Sequence, residues 1–290
     1  MTGSGAPTFG PEWSAGFRRG PDAELRGWVE AALDWCDATD AIALRHFRRD
    51  LEVTRKPDTT FVTQADTAVE RLLRDRIAAA YPDHGVLGEE LGADSGNAAT
   101  RWILDPIDGT HNYLRGVPLF ATLIAVERDG ELQASVMSAP ALGMRWSAWR
   151  GGGAWVRGGS WGPAPQRIRA SGIATIEEAQ VLYASTSELE SYGRAPGWRT
   201  LLDRAWRERG FGDFWGYTLV AEGAAEIMVE SDLSAWDAAA PMVIVEEAGG
   251  RATDFAGNRS VFNRTFLATN GRLHDEVLGI LSTRTEGAAR

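Results

Sequence analysis

The stretch WILDPIDGTHNY, residues 102–113, decides how this 290-residue chain reads. An apolar run, Trp102 to Leu104, delivers Asp105 and, three positions later, Asp108, and a Gly109-Thr110 pair follows at once. The run suits a buried strand, and the pair suits a turn that opens a helix. Pro106 fixes the backbone between the acids, so both carboxylates and the Ile107 carbonyl can converge on one point. Hard cations such as Mg²⁺ take oxygen ligands from a few carboxylates and from substrate phosphate. Two such ions about 3.5 to 4 Å apart clamp the attacking and leaving oxygens of a phosphoryl transfer. A glycine and a hydroxyl at a helix start offer amide donors to an anion. The stretch therefore combines acids for metal with a turn for phosphate.

Such a site needs partners, and three other apolar runs also end in acid: Asp66 in FVTQAD, Glu89 and Glu90 in VLGEE, and Asp237 in SAWDAAA. Any one of them is ordinary, because aspartate commonly caps a helix. Taken with Asp105 and Asp108, they form a set of oxygen donors. Histidine offers no rival: His46, His84, His111 and His274 are scattered, without the paired spacing of a zinc site. The chain also lacks a Gly-x-x-x-x-Gly-Lys-Ser/Thr loop and a Gly-x-Ser-x-Gly elbow.

Composition narrows the class. The chain is 44% hydrophobic and 24% charged, which allows a sizeable core in one large domain or two lobes. Its formal net charge of −10 argues against a nucleic-acid partner held by bulk electrostatics. No apolar run is long enough for a membrane span and no signal-like N-terminus is seen, so no membrane partner and a cytoplasmic location are expected. The single cysteine, Cys36, lies in an amphipathic helix and reads as a buried structural thiol. The sequons at Asn258 and Asn263 matter only in a secreted chain.

Periodicity places these residues on elements. Glu24 to Arg48 repeats apolar residues at helical intervals, and a second helix is expected after Asp66. PLFATLIAVERDGELQASVMSAP (118–140) reads as a hairpin turning at Asp129-Gly130, and RWSAWRGGGAWV (145–156) as two further strands. Turn-formers cluster in GGSWGPAPQ (158–166). That division gives a mobile tail over 1–20, an N-terminal lobe over 21–160 and a C-terminal lobe over 161–290. In the second lobe, QVLYAST, EIMVE and FLATN read as strands. GWRTLLDRAWRER, YTLVAEGAA, AWDAAAPMVIVEEAGG and RLHDEVLGILST read as helices. Strands interleaved with helices, plus a meander, indicate a layered α/β or α+β protein.

The motifs resemble those of the inositol monophosphatase-like, lithium-sensitive Mg²⁺-dependent phosphatases. DPIDGT (105–110), GEE (88–90), VTQAD (62–66) and WDAAAPMVIVEEAGG (236–250) stand in the family's order, across about residues 25–285. The resemblance implies an αβαβα sandwich of two lobes, a homodimer, and two or three Mg²⁺ ions per site. It implies that Glu89, Asp105 and the Ile107 carbonyl hold one metal and that Asp105, Asp108 and Asp237 hold another. Asp66 and Thr110 would orient and deprotonate a water, with Glu89 beside them in the catalytic group. Gly109 and Thr110 would contact phosphate.

Within the family, KPDTTFVTQAD, RGVPLFATLIA, SAPALGMRW and RGFGDFWGYTLVAEG look like the bacterial histidinol-phosphate phosphatases of histidine biosynthesis. Inositol monophosphatases generally carry Gly-Thr-Ala where this chain has Gly212-Asp213-Phe214. Histidinol phosphate bears an ammonium and an imidazole, which an extra anion can bind through charge-assisted hydrogen bonds. Asp213, with Glu230 as its companion, is the expected substrate-binding pair. The branch tends to carry lysine at the position of His111, which here reads as a surface residue at a helix start. The expected activity is hydrolysis of histidinol phosphate without a covalent intermediate. The alternative is an inositol-1-phosphate or broad sugar-phosphate phosphatase. A third reading, an RNA-associated binding protein, is disfavoured by the acidic charge and the complete ligand set.

Overall fold

In the computed structural model of the chain, the described residues are 22–49, 52–55, 61–94 and 99–283. The tail expected over 1–20 and Lys56–Thr60 of the KPDTTFVTQAD motif lie outside them.

The first half builds one sheet with helices on one side. Helix α1 (Asp22–His46) is followed by the small strands β1 (Val53–Arg55) and β2 (Phe61–Thr63), then α2 (Gln64–Ala80). Next come β3 (Gly85–Gly88), β4 (Gly92–Ala93), β5 (Thr100–Asp108) and a short helix α3 (Thr110–Leu114). Strands β6 (Ala121–Arg128), β7 (Glu131–Ala139), β8 (Met144–Trp149), β9 (Gly153–Gly158) and β10 (Gln166–Ile168) complete it. The strand order of the eight-stranded sheet is β10-β9-β8-β7-β6-β5-β3-β4. At the expected β6–β7 turn, Asp129 and Gly130 have φ of 52° and 80°, the left-handed pair of a type I′ hairpin.

The second half adds β11 (Gln180–Tyr183), α4 (Thr186–Ser191), α5 (Ala195–Arg204), β12 (Arg207–Arg209) and α6 (Asp213–Ala221). It ends with β13 (Ile227–Ser231), α7 (Ala235–Glu247), β14 (Arg251–Thr253), β15 (Thr265–Thr269) and α8 (His274–Leu281). Its five strands run β12-β11-β13-β15-β14.

Side-chain alternation, with its period of two, sorts the sheet residues into separate layers. Trp102, Leu104, Ile124 and Val136 pack with Trp28, Leu33, Val69 and Leu73 of α1 and α2. Their neighbours Ile103, Leu123 and Met137 face the other way, joining Phe214 of α6, Met242 and Val245 of α7, and Phe266 of the small sheet. The far face of the small sheet, Val229 and Leu267, packs on Trp198 and Leu201 of α5 and Val277 and Leu281 of α8. The order is thus helices, sheet, helices, sheet, helices, the αβαβα sandwich expected. Helix α7 is apolar all round because it is enclosed between both sheets.

Three expectations shift. The division at residue 160 falls inside the large sheet, because β10 pairs antiparallel with β9 through Ile168. The helix expected over 197–209 stops at Arg204, and Arg207–Arg209 pairs in parallel with β11 instead. The second helix begins before Asp66, at Gln64, with Thr63 as its cap. Cys36 is buried and free, and burial pushes its thiol up to about 12, so it is inert as a nucleophile at neutral pH.

Candidate active site

A β-bulge makes the Asp-Pro-Ile-Asp motif work. On a regular strand, residues three apart face opposite sides of the sheet. Here Asp105 pairs with Leu123 and Asp108 with Ala121, so three steps on β5 match two on β6. The extra residue reverses the phase, and both carboxylates turn to the same side. Thr122 Oγ1 donates to the Pro106 carbonyl at 2.9 Å, securing the bulge.

Asp237 reaches the same point from the first turn of α7. Ligand oxygens of Asp105, Asp108 and Asp237 lie within 4.8 Å of one another. The Ser234 amide donates to Asp237 Oδ2 at 2.6 Å, a capping contact that leaves Oδ1 for other use. Phe214 at the start of α6 donates its amide to Asp108 Oδ2 at 2.8 Å. One acid cluster is therefore supported by the large sheet and by the helix layer between the sheets.

Glu89 follows β3, which runs parallel to β5, and lines the same cavity as Asp105, Ile107, Asp108, Gly109, Thr110, Asp213, Glu230 and Asp237. The cavity measures about 480 Å³. Asp66 stands behind its lining. Its Oδ2 accepts from the Thr63 amide at 2.9 Å and from Thr63 Oγ1 at 2.5 Å. Thr110 is not hydrogen-bonded to Asp66: its hydroxyl donates to the Ile107 carbonyl at 3.0 Å. The expected pair thus sits in one region without direct contact. His111 is exposed in the first turn of α3, with its ring edge-on to Phe61.

Burial and mutual repulsion raise these acids together. Burial, then Glu89, Asp108, Asp237 and Asp66, hold the Asp105 carboxyl well above the usual range. Burial, then Asp213 and Asp237, do the same to Asp108, opposed by the Phe214 amide. Burial pushes Asp237 up to about 7 and Asp66 up to about 6. Oδ1 of Asp105 and Oδ1 of Asp66 are buried without a hydrogen-bond partner. Buried like charges with unpaired oxygens are costly unless a cation joins them. An all-oxygen set without cysteine or histidine fits a hard divalent ion.

The expected substrate pair lines the same cavity, with Asp213 Oδ2 only 3.5 Å from where a Cβ on Gly109 would stand. Asp213 Oδ2 accepts from Asn112 Nδ2 at 2.9 Å, and Glu230 Oε2 accepts from the Tyr217 hydroxyl at 2.5 Å. Burial, then Asp213, pushes Glu230 up to about 8. Asp213 is thus held in the cavity wall, not in a solvated turn.

Sequence reasoning missed Glu70. It is fully buried, and its Oε2 and Oε1 accept the amides of Glu90 and Leu91 at 2.7 and 3.1 Å, while Arg74 pairs with it at 2.8 Å. Glu70 thereby shapes the turn that carries Glu89. The signal was present in Gly88, where an added Cβ would lie 2.1 Å from Glu70 Oε1. Gly88→Ala is expected to lower stability by about 1–3 kcal/mol, the usual range for overpacking, as read by urea denaturation.

Three comparisons bear on this geometry. The sequence profile of the inositol monophosphatase family matches residues 24–286. A protein named histidinol-phosphatase from Streptomyces coelicolor is 44% identical over 253 residues, 86% of this chain and 94% of the relative. One of the same name from Mycobacterium tuberculosis is 44% identical over 248 residues, 85% of this chain and 95% of the relative. Among solved structures, a Thermotoga maritima IMPase superposes with a TM-score of 0.78 at 30% identity, covering 88% of this chain and 96% of the other. No described helix is long and apolar enough to cross a membrane.

Proposed function

The chain belongs to the inositol monophosphatase family, and from that premise we propose that it is a Mg²⁺-dependent phosphomonoesterase acting on histidinol phosphate. The observation that carries the substrate reading is the pairing, in one cavity, of metal-type acids with two further half-buried carboxylates, Asp213 and Glu230. A phosphate needs only the first group, so the second asks for a cationic substrate end. The histidinol-phosphatase names of relatives at 44% identity support the same choice.

Glu89, Asp105, Asp108, Asp237 and the Ile107 carbonyl would hold the metal ions. When bound, Mg²⁺ supplies charge neutralisation at the phosphate oxygens and an acidified water. The chain's own residues do the rest. Gly109 and Thr110 bound the cavity beside Asp108 and hold the phosphate in line. Asp66 Oδ1 is the free oxygen that receives the water's proton, while its Oδ2 stays locked to Thr63. Asp213 and Glu230 bind the ammonium and imidazole. The homodimer that goes with this reading rests on the family resemblance, and a cytoplasmic location is proposed with it.

Phosphate release from histidinol phosphate and from inositol-1-phosphate, measured side by side with Mg²⁺, tests the reading. A preference for histidinol phosphate is expected, and a preference for inositol-1-phosphate sinks it. Asp213→Ala should lose about 1.5–3 kcal/mol with histidinol phosphate, the scale of a hydrogen bond to a charged group, and less with inositol-1-phosphate. Equal losses on both substrates would assign Asp213 to the fold or to the metal acids.

A further inference from the structure

Asp213 has a backbone conformation that its side chain must justify. Its φ is +55°, in the left-handed region that glycine enters freely and other residues enter at a cost. A glycine is next door, yet Gly212 has φ of −77°. The left-handed position is given to the aspartate, whose Oδ2 then meets the amide of Asn112, 101 residues earlier. The next residue, Phe214, bonds Asp108 through its own amide. Successive residues at the start of α6 are therefore fastened to the Asp-Pro-Ile-Asp-Gly-Thr-His-Asn segment, one to a metal acid and one to Asn112.

A carboxylate only accepts, so the Asn112 amide must present its nitrogen, and it engages a single oxygen of Asp213. The other oxygen, Oδ1, has no hydrogen bond among the described residues, and Asp213 lines the cavity. Glu230 is treated alike: Tyr217, one turn beyond Asp213 on α6, engages Oε2 and leaves Oε1. The Asn112 side chain is not needed for the turn itself. Its backbone carbonyl accepts from Arg115 and Val117 whatever the side chain does.

We propose that Asn112 is a positioning residue for substrate choice, holding Asp213 so that Oδ1 meets the cationic end of a phosphomonoester whose phosphate sits on the adjoining turn. The inference rests on the reading of Asp213 as the cation-binding group. It makes one segment, residues 105–112, responsible for both ends of the substrate: Asp105 to Thr110 for the phosphate, Asn112 for the distance from it to the positive charge.

The test is the ratio of kcat/KM for histidinol phosphate to that for p-nitrophenyl phosphate, with Mg²⁺ saturating. Asn112→Ala is expected to lower this ratio on the order of tenfold, through KM for histidinol phosphate more than through kcat. Added to Asp213→Ala it should lower the ratio no further, the non-additivity of residues that act together. Asn112→Ser keeps a donor and should retain more of the ratio, which also covers the case in which the alanine variant folds poorly. A high wild-type ratio left unchanged by Asn112→Ala and Asn112→Ser overturns this inference alone. So does an equal fall in the Asp213→Ala background. A wild-type ratio near one overturns the substrate reading and this inference with it.

Discussion

Asp105→Asn is expected to lower turnover by orders of magnitude and, in the metal-free chain at neutral pH, to raise thermal stability. Both effects come from one buried charge. Asp105 is 1% exposed, its Oδ1 has no partner, and four other acids act on it. An asparagine of the same shape removes the repulsion but cannot neutralise a shared cation. The pH dependence follows in sign. A carboxyl raised on folding contributes stability that is complete below its unfolded value, 3.8 for aspartate, and lost as pH rises through the folded value, about 7 for Asp237. The metal-free wild type should therefore lose Tm between pH 4 and 7, and Mg²⁺ should restore more Tm at pH 8 than at pH 6, because ligation displaces protons. In Asp105→Asn the Mg²⁺-induced gain should shrink at both pH values. An undiminished gain would remove Asp105 from the ligand set. Recovery of EDTA-treated wild type by Zn²⁺ but not Mg²⁺ would count against an all-oxygen centre.

The second large effect belongs to Thr110. Its hydroxyl donates to the Ile107 carbonyl, at the bulge that turns Asp105 and Asp108 together. Thr110→Ala should reduce kcat by about a hundredfold or more, the lower range for a group acting on a proton in flight, with KM little changed. Thr110→Ser, which keeps the hydroxyl, should recover most of the rate. Solvent ¹⁸O should enter the released phosphate in a single turnover. A trapped phosphothreonine would make Thr110 a nucleophile and end the direct-water scheme.

How much of this was legible in the sequence follows from the range of the forces involved. Strands β5–β9 were readable because short apolar runs are separated by local turn chemistry, as at Asp129-Gly130. The acids were readable because each ends an apolar run. What escaped depends on partners remote in the chain. β10 and β12 are three-residue edge strands whose identity lies in the strands they join. Glu70 and Arg74 stand four apart on α2 with no local mark of burial, and only the missing side chain at Gly88 admits the Glu70 carboxylate to the interior. Asn112 had no signal of its own, because its partner stands 101 residues away. Asp66 carried two readings, cap and proton acceptor; its Oδ2 makes the cap contact, and its Oδ1 is left without a hydrogen-bond partner.

The enclosed position of α7 has a consequence for the order of events during folding. Strands β5 to β9 join sequence neighbours, each closing a short loop at small entropic expense. The seam through Asp108 and Phe214 closes over 106 residues, and Asp237 arrives only when α7 has both sheets to lie between. Contacts of such long range form late and slowly. Asp237 therefore stays apart from Asp105, Asp108 and Glu89 while the large sheet assembles, and the group is closed off from water only when the last layer docks. A nascent chain can build most of its architecture before it confronts the one place where that architecture resists closing.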